Sequence, residues 1–273
     1  ALNCLILKIP VAHIHGGEVT MGSFDDNLRH ATTKLSHLHF VANYQFKKRA
    51  IQLGEEPRRV FNVGGLGVDN ITKTKLIDKT KLIKKLKLRN NFFLVTFHPS
   101  TLEVNKSLIE FKNLLKVLSK YKEHSIIFSY PGSDIGNKKF IYLINNFKKK
   151  FKNVIVSKSL GNQNYLSIMK HANLLIGNSS SGIAEAPSFK TPTINIGDRQ
   201  KGRVLAKSVI NSKGSIKSIQ KAIKKGISKK FIISLKNNIN PYGKGGASNK
   251  VFKIINSLKL DKNIVKKKFF DLR

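Results

Sequence analysis

The chain has 273 residues, enough for one large or two ordinary domains with proper cores. Its 40% apolar content excludes a disordered tail, and no uninterrupted apolar run reaches the ~18 residues of a membrane-spanning helix. Lys and Arg number 51 against 15 Asp and Glu, formally +36, a balance that by itself points to nucleic acid or an anionic membrane.

The distribution of that charge argues otherwise. Lysines are spread along the chain, as in KTKLIDKTKLIKKLKLR, NNFKKKFKN and IKSIQKAIKKGISKKF, and sit between apolar residues at helical spacing. That pattern marks solvated helix faces, so neither a nucleic-acid nor a membrane partner is expected. Abundant Asn, Ile and Lys point to a compositional bias of the source genome. The single cysteine, Cys4, excludes an internal disulfide framework and fits a reducing, cytoplasmic setting. The opening ALNCLILKIP lacks a basic n-region and a cleavage site, so it is not read as a signal peptide.

Taken in chain order, short β-rich runs alternate with longer amphipathic stretches. Strands are predicted at 11–15, 38–43, 60–64, 92–98, 125–130, 153–158, 173–178 and 192–197. Helices are predicted at about 25–36, 44–53, 103–121, 137–150, 163–171, 181–188, 216–226 and 247–259. The fold class is therefore α/β with mostly parallel sheets. The lysine-rich stretch 72–90, polar and without a strand, is the expected domain boundary. A fresh strand–helix alternation starts at Asn91 and supplies about five units, enough for one Rossmann-like domain. The part before it holds three strands, a poor free-standing sheet.

Four motifs carry possible chemistry. HIHGGE, His13 to Glu18, places two histidines on one strand face by alternation, then a Gly-Gly turn and a carboxylate. His-x-His suits zinc, but no further His/Cys cluster follows, so no metal is assigned. In DDNLRH, Asp25, Asp26, Arg29 and His30 occupy the opening turns of a helix. They read either as capping with an Asp25–Arg29 or Asp26–Arg29 pair, or as an acid–base cluster. TFHPSTLE puts His98 at the carboxyl end of a strand, where ligands of open α/β sheets bind, although a satisfied turn histidine fits equally well. LLIGNSSSGIAEAPSF is a buried strand, a hydroxyl-rich turn and a helix start. Together these form an anion site in which serines add donors and Glu185 accepts from a sugar hydroxyl. The competing reading is an ordinary connection with capping serines.

NSSSGIAEAPSF…PTINIGDRQKGR, with HIHGGE, DDNLRH and TFHP, resembles the UDP-N-acetylglucosamine 2-epimerases, closest to the hydrolysing branch. The resemblance implies two Rossmann-like domains in the glycosyltransferase-B arrangement, with the active site in the cleft between them. The implied domains are residues 1–88, the C-terminal part of a first domain lacking its N-terminal strands, and 89–247, the UDP-binding domain. A C-terminal helix region, 248–273, would pack back on the first domain. Ser179, Ser180, Glu185 and Arg199 would hold UDP. Glu18, Asp25, Asp26 and Arg29 would serve as acid–base groups, with His98 essential and either His15 or Glu18 in the place of the family's glutamate. The implied reaction converts UDP-GlcNAc, or a related UDP-acetamido sugar, to UDP and N-acetylmannosamine for sialic-acid-type nonulosonate synthesis. No cofactor is implied, and the partners are the UDP-sugar and, as members are often dimers, a second copy. The alternatives are the non-hydrolysing epimerase, a glycosyltransferase of the same fold, and a basic binding module without activity.

Overall fold

The computed structural model describes residues 1–258 and 263–272; the last position of the predicted C-terminal helix, 259, lies outside these, as do 260–262 and 273 of the C-terminal region. In chain order the first elements are α1 (Leu2–Ile6), β1 (Ala12–Ile14), α2 (Asp25–Leu35), β2 (Leu38–Val41), α3 (Tyr44–Gln52), β3 (Val60–Asn62), α4 (Leu66–Lys73) and α5 (Lys79–Leu86). There follow β4 (Phe92–Thr96), α6 (Val104–Leu118), β5 (Ser125–Ser129), α7 (Asn137–Lys150), β6 (Val154–Ser157), α8 (Gly161–His171), β7 (Leu174–Gly177) and α9 (Ser181–Ala184). The last are β8 (Thr193–Ile196), β9 (Val209–Ser212), α10 (Ile216–Gly226), α11 (Lys229–Ser234) and α12 (Ala247–Ser257). They divide into two compact units. One comprises Ala1–Thr20, Phe24–Thr72 and the chain from Pro241 onward; the other comprises Met21–Ser23 and Lys73–Asn240.

The larger unit is built on a six-stranded sheet, all parallel, in the order β6-β5-β4-β7-β8-β9. Because strand side chains alternate, the run FFLVTF of β4 serves both faces. Phe93, Val95 and Phe97 enter one core with Phe111, Leu114, Phe140 and Ile223 of α6, α7 and α10. Phe92 and Leu94 enter the other with Leu82 of α5 and Ile168 and Met169 of α8. A parallel sheet covered on both faces explains why these strands read as near-continuous apolar runs.

The smaller unit has a three-stranded parallel sheet, β1-β2-β3. Leu38, Phe40 and Val63 pack against Val251, Ile254 and Leu258 from α12 and the residue after it. That helix is fastened by a carboxylate at its start. Asp69 accepts hydrogen bonds from the N–H of Ala247 (2.9 Å) and from the N–H and hydroxyl of Ser248 (2.7 and 2.6 Å). An acid at a helix N-terminus satisfies donors that the helix cannot.

The short helices α4 and α11 were not among those predicted, and three further elements depart from the sequence expectation. β9 was not predicted, because VINS is a short edge strand, only its last residue buried, that follows a basic loop. Stretch 72–90 contains a helix, α5, capped by Asp78, whose side chain accepts from the Thr80 N–H at 2.8 Å; its Leu82 is fully buried. The predicted helix 181–188 is broken into α9 and a 3-10 turn, Ala186–Phe189. Pro187 lacks the N–H that would continue the α-helical ladder.

Candidate active site

In the larger unit the strand order reverses between β4 and β7, and the carboxyl ends at such a reversal form the ligand crevice of an open parallel sheet. Those ends are Thr96–His98 and Gly177–Ser181. Gly177 has φ 145°, and a Cβ there would overlap the Thr96 carbonyl oxygen, so only glycine lets the two strand ends lie this close. Asn178, next in the chain, ties three segments together. Its Oδ1 accepts from the His98 N–H (2.7 Å) and its Nδ2 donates to the His98 carbonyl (2.8 Å). Its own carbonyl accepts from Arg199 Nη1 (3.2 Å) and Gln200 Nε2 (2.9 Å) of the loop after β8.

The serines follow at once. Ser179 Oγ accepts from the Ser181 N–H at 3.3 Å and lies 3.0 Å from Ser181 Oγ. Ser181 Oγ in turn lies 2.6 Å from Tyr165 Oη. The N–H groups of Gly182 and Ile183 are already used by the carbonyls of Ser179 and Ser180. Those of Ser179 and Ser180 make no hydrogen bond among the described residues, and Ser180 is exposed. With α9 only four residues long, the attraction for an anion rests on these two N–H donors and on hydroxyls far more than on a helix dipole. Half-buried Glu185 ends α9, and burial pushes its carboxyl up to about 7. His98 is held at about 4, first by burial and then by the nearby Arg199 charge, with Asp134 pulling the other way. His98 Nδ1 lies between the Gly132 N–H, which donates to it at 3.3 Å, and an Asp134 carboxylate oxygen at 3.5 Å.

The smaller unit gathers a second group of predicted residues. β1 stops at Ile14, and His15 takes a left-handed backbone (φ 65°), so alternation fails and the two histidines turn to different partners. His13 Nδ1 lies 3.2 Å from Thr33 Oγ1, whereas His15 Nδ1 lies 2.8 Å from an oxygen of buried Glu18. Asp26 accepts from the Thr20 N–H (2.7 Å) and from Arg29 Nη1 (3.1 Å). Arg29 also donates to Thr20 Oγ1 (3.0 Å) and the Glu18 carbonyl (3.4 Å). Of the two pairings open to Arg29, the structure forms the i,i+3 pair with Asp26. His15, Glu18, Asp26 and Arg29 thus form one connected cluster, and Asp25 stands exposed in the first turn of α2.

Sequence reasoning missed Asn178, Gln200 and Tyr165, which position the serine turn. A polar residue ending an apolar strand was a usable signal for Asn178; nothing local marked the other two. It also missed Gly22, whose Cβ would stand 2.7 Å from Arg199 Cα and whose carbonyl accepts from Ser100 Oγ at 2.8 Å.

Among proteins of known sequence, a Campylobacter jejuni GDP/UDP-N,N'-diacetylbacillosamine 2-epimerase (hydrolyzing) is 44% identical over 98% of this chain and 70% of its own length. The Escherichia coli polysialic acid biosynthesis protein P7 is 40% identical over 100% and 70%, and a Legionella pneumophila UDP-N,N'-diacetylbacillosamine 2-epimerase (hydrolyzing) 31% over 98% and 70%. Among solved structures, UDP-GlcNAc 2-epimerase from Neisseria meningitidis bound to UDP-GlcNAc matches with a TM-score of 0.81 at 19% identity. It covers 94% of this chain and 72% of that one, and at this identity it speaks for the α/β fold. The family model described as UDP-N-acetylglucosamine 2-epimerase matches residues 1–256. The chain belongs to the UDP-N-acetylglucosamine 2-epimerase family, and its relatives above include members named as hydrolysing.

Proposed function

We propose that the chain is a hydrolysing 2-epimerase of a UDP-linked 2-acetamido sugar, releasing UDP and the free 2-epimer. The observation that carries this reading is the pair of open N–H donors at Ser179 and Ser180, set with serine hydroxyls at the strand reversal beside Arg199. Such a turn suits a diphosphate, whose charge grows as it leaves the sugar C1. Ser179, Ser180 and Arg199 hold the diphosphate, and Glu185 accepts from a ribose hydroxyl.

The sugar C2 proton is a weak acid, so its removal needs a placed base and a leaving group already stabilised. The candidate groups for that proton traffic are His98 in the larger unit and, in the smaller unit, His15, Glu18, Asp25, Asp26 and Arg29. Neutral His98 can accept or donate without first losing a charge, which suits a group that handles one proton twice. Loss of the C2 proton and of UDP leaves a glycal; adding water at C1 and a proton at C2 from the opposite face gives the epimer. Each proton removed is returned, so the step needs no oxidant.

For the substrate we take UDP-N,N'-diacetylbacillosamine first, since relatives at 44% and 31% identity carry that sugar in their names. The second reading is UDP-GlcNAc with N-acetylmannosamine as product. It is favoured by the 33% identical Neisseria meningitidis relative named UDP-N-acetylglucosamine 2-epimerase and by the polysialic acid relative.

The test is incubation with each UDP-sugar in deuterated water. Released UDP with deuterium at C2 of a manno-configured free sugar is the expected result, and the ratio of the two kcat/KM values decides the substrate. A UDP-linked epimer would mean the non-hydrolysing reaction. Release of UDP without deuterium at C2 would sink the mechanism.

A further inference from the structure

The larger unit holds a polar cavity of about 500 Å³ lined in part by the loop that carries Arg199. Asn195, at the end of β8, and Asn211, in β9, line it together with Gln200, Lys201 and Lys213. Its position follows from the same topology as the serine turn, at the carboxyl ends of neighbouring strands, but two strands further along the sheet.

Its chemistry is specific. Asn195 and Gln200 are 5% and 3% exposed, and each spends its amide N–H on the protein, Asn195 on Asn211 Oδ1 (2.9 Å) and Gln200 on the Asn178 carbonyl. Their amide oxygens, Asn195 Oδ1 and Gln200 Oε1, are buried with no hydrogen-bond donor. A buried acceptor left without a donor is unfavourable, so two at one cavity suit a partner that supplies O–H or N–H groups. Positive charge predominates in the lining. Lys201 and Lys213 make no ion pair among the described residues, and the one carboxylate in the lining, Asp198, is held by Lys106 at 2.7 Å. A volume of this size admits a monosaccharide with one charged substituent.

We propose that this cavity binds a hydroxylated anion of monosaccharide size, a sugar phosphate or a sugar carboxylate, through the two amide oxygens and the two lysines. The anionic group meets Lys201 and Lys213, and the hydroxyls donate to Asn195 Oδ1 and Gln200 Oε1 once these amides, closed to solvent in this structure, turn toward the cavity. Since Gln200 also holds the Asn178 carbonyl beside the serines, occupancy of the cavity and of the serine turn act on one side chain. This site is argued from the cavity alone and stands whether or not the chain is an epimerase.

The experiment is calorimetric titration of the full chain at fixed ionic strength with glucose 6-phosphate, N-acetylglucosamine 6-phosphate, gluconate and glucuronate, with glucose and inorganic phosphate as controls. At least one of the four should bind tenfold or more tighter than either control, and phosphate against carboxylate members tells which anionic group is preferred. Lys213→Glu should lose that binding by tenfold or more with UDP affinity unchanged; Ser179→Ala should do the reverse. Binding of none of the four, equal binding of inorganic phosphate, or a Lys213→Glu protein that binds as the parent does would each overturn the proposal.

Discussion

In the larger unit both faces of the central strands meet apolar side chains, and no buried charge is needed to hold β4, β5 and β7 together. The smaller unit differs: β2 sends Leu38 and Phe40 to an apolar core, but its other face carries fully buried His39, bonded to buried Glu55 at 2.8 Å. Glu55 also binds Lys34 (2.9 Å) and Lys267 (2.7 Å), and Lys267 donates to the carbonyls of Thr33, Lys34 and Ser36. Arg59 completes the hold on the C-terminal segment through the carbonyls of Ile264 and Lys266 (2.7 and 2.8 Å). Three strands offer too little apolar area to fix a sheet and a distant chain segment, and a polar network supplies the remainder. One unit should therefore be sensitive to shape and the other to charge.

The largest expected effect is one of shape. Gly177→Ala adds a methyl group into the Thr96 carbonyl at a φ that side chains avoid. Strain and overlap together should cost at least about 3 kcal/mol and remove the cooperative melting of the larger unit. A variant that melts as the parent does would show that the strand ends can part without loss.

Next comes a charge effect in the smaller unit. Lys267→Met leaves Glu55 buried with fewer partners, a change of about 3–5 kcal/mol for a buried network. Lys106→Met, which cuts an exposed pair with Asp198, should leave the melting temperature nearly unchanged. Burial would raise the Glu55 carboxyl, but hydrogen bonds from His39, Lys267 and Lys34 hold it at about 2. Its folded value lies below its ordinary 4.5, so this stabilisation is complete above pH 4.5 and is lost as pH falls toward 2. Acid titration of unfolding, parent against Lys267→Met, measures it; parallel curves would mean that the network contributes nothing.

The contrast also explains what could be read from sequence. Strands of the larger unit announce themselves because both faces must be apolar, so FFLVT, SIIFS and LLIG stand out from any background. β9 does not, since an edge strand needs only part of that signal. The serine turn was legible as a polar break after an apolar run. The length of its helix was not, because Pro187 acts through a missing N–H whose effect depends on how far the helix has already run. In the smaller unit His37 and His39 carry no pattern that separates a structural ion pair from a catalytic one. Only the fold brings Glu55 to His39, across 16 positions. His15 left the strand through a positive φ that no residue near it predicts. Lys267 and Arg59, more than 200 positions from the carbonyls or segments they bind, lie beyond any local reading.

The larger unit has one buried charge of its own, and it tests the comparison from the other side. Glu110 of α6 packs under the loops at Gly197 and Gly214, both with positive φ, where a Cβ would overlap its side chain. Burial pushes its carboxyl up to about 7, with Lys106 opposing and Asp198 and Glu103 adding to the rise. The folded chain holds this proton more tightly than the unfolded chain. Stability is therefore full below its ordinary 4.5, declines from there to about 7, and is lower above. A rise of that size corresponds to on the order of 3 kcal/mol. Glu110→Gln should be more stable than the parent at pH 8 and equal to it at pH 4. Equal stability at pH 8 would mean that the loops move aside to let water reach the carboxylate.

The smallest effect expected is on binding and spares the fold. Glu185 lies at the end of α9 with its carboxyl raised to about 7 by burial alone. In the proposed nucleotide-binding role the carboxylate accepts from a ribose hydroxyl; once protonated it would accept far less well. The diphosphate of a UDP-sugar does not titrate between pH 6 and 8, so a change in KM across that range reports the protein. KM should rise as pH falls below 7, by at most about tenfold per unit. Glu185→Gln, which keeps the shape but cannot ionise, should show a raised KM with little pH dependence. Because kcat depends on groups elsewhere, it should change little in that variant. A fall in kcat at constant KM would move Glu185 from nucleotide binding to proton transfer.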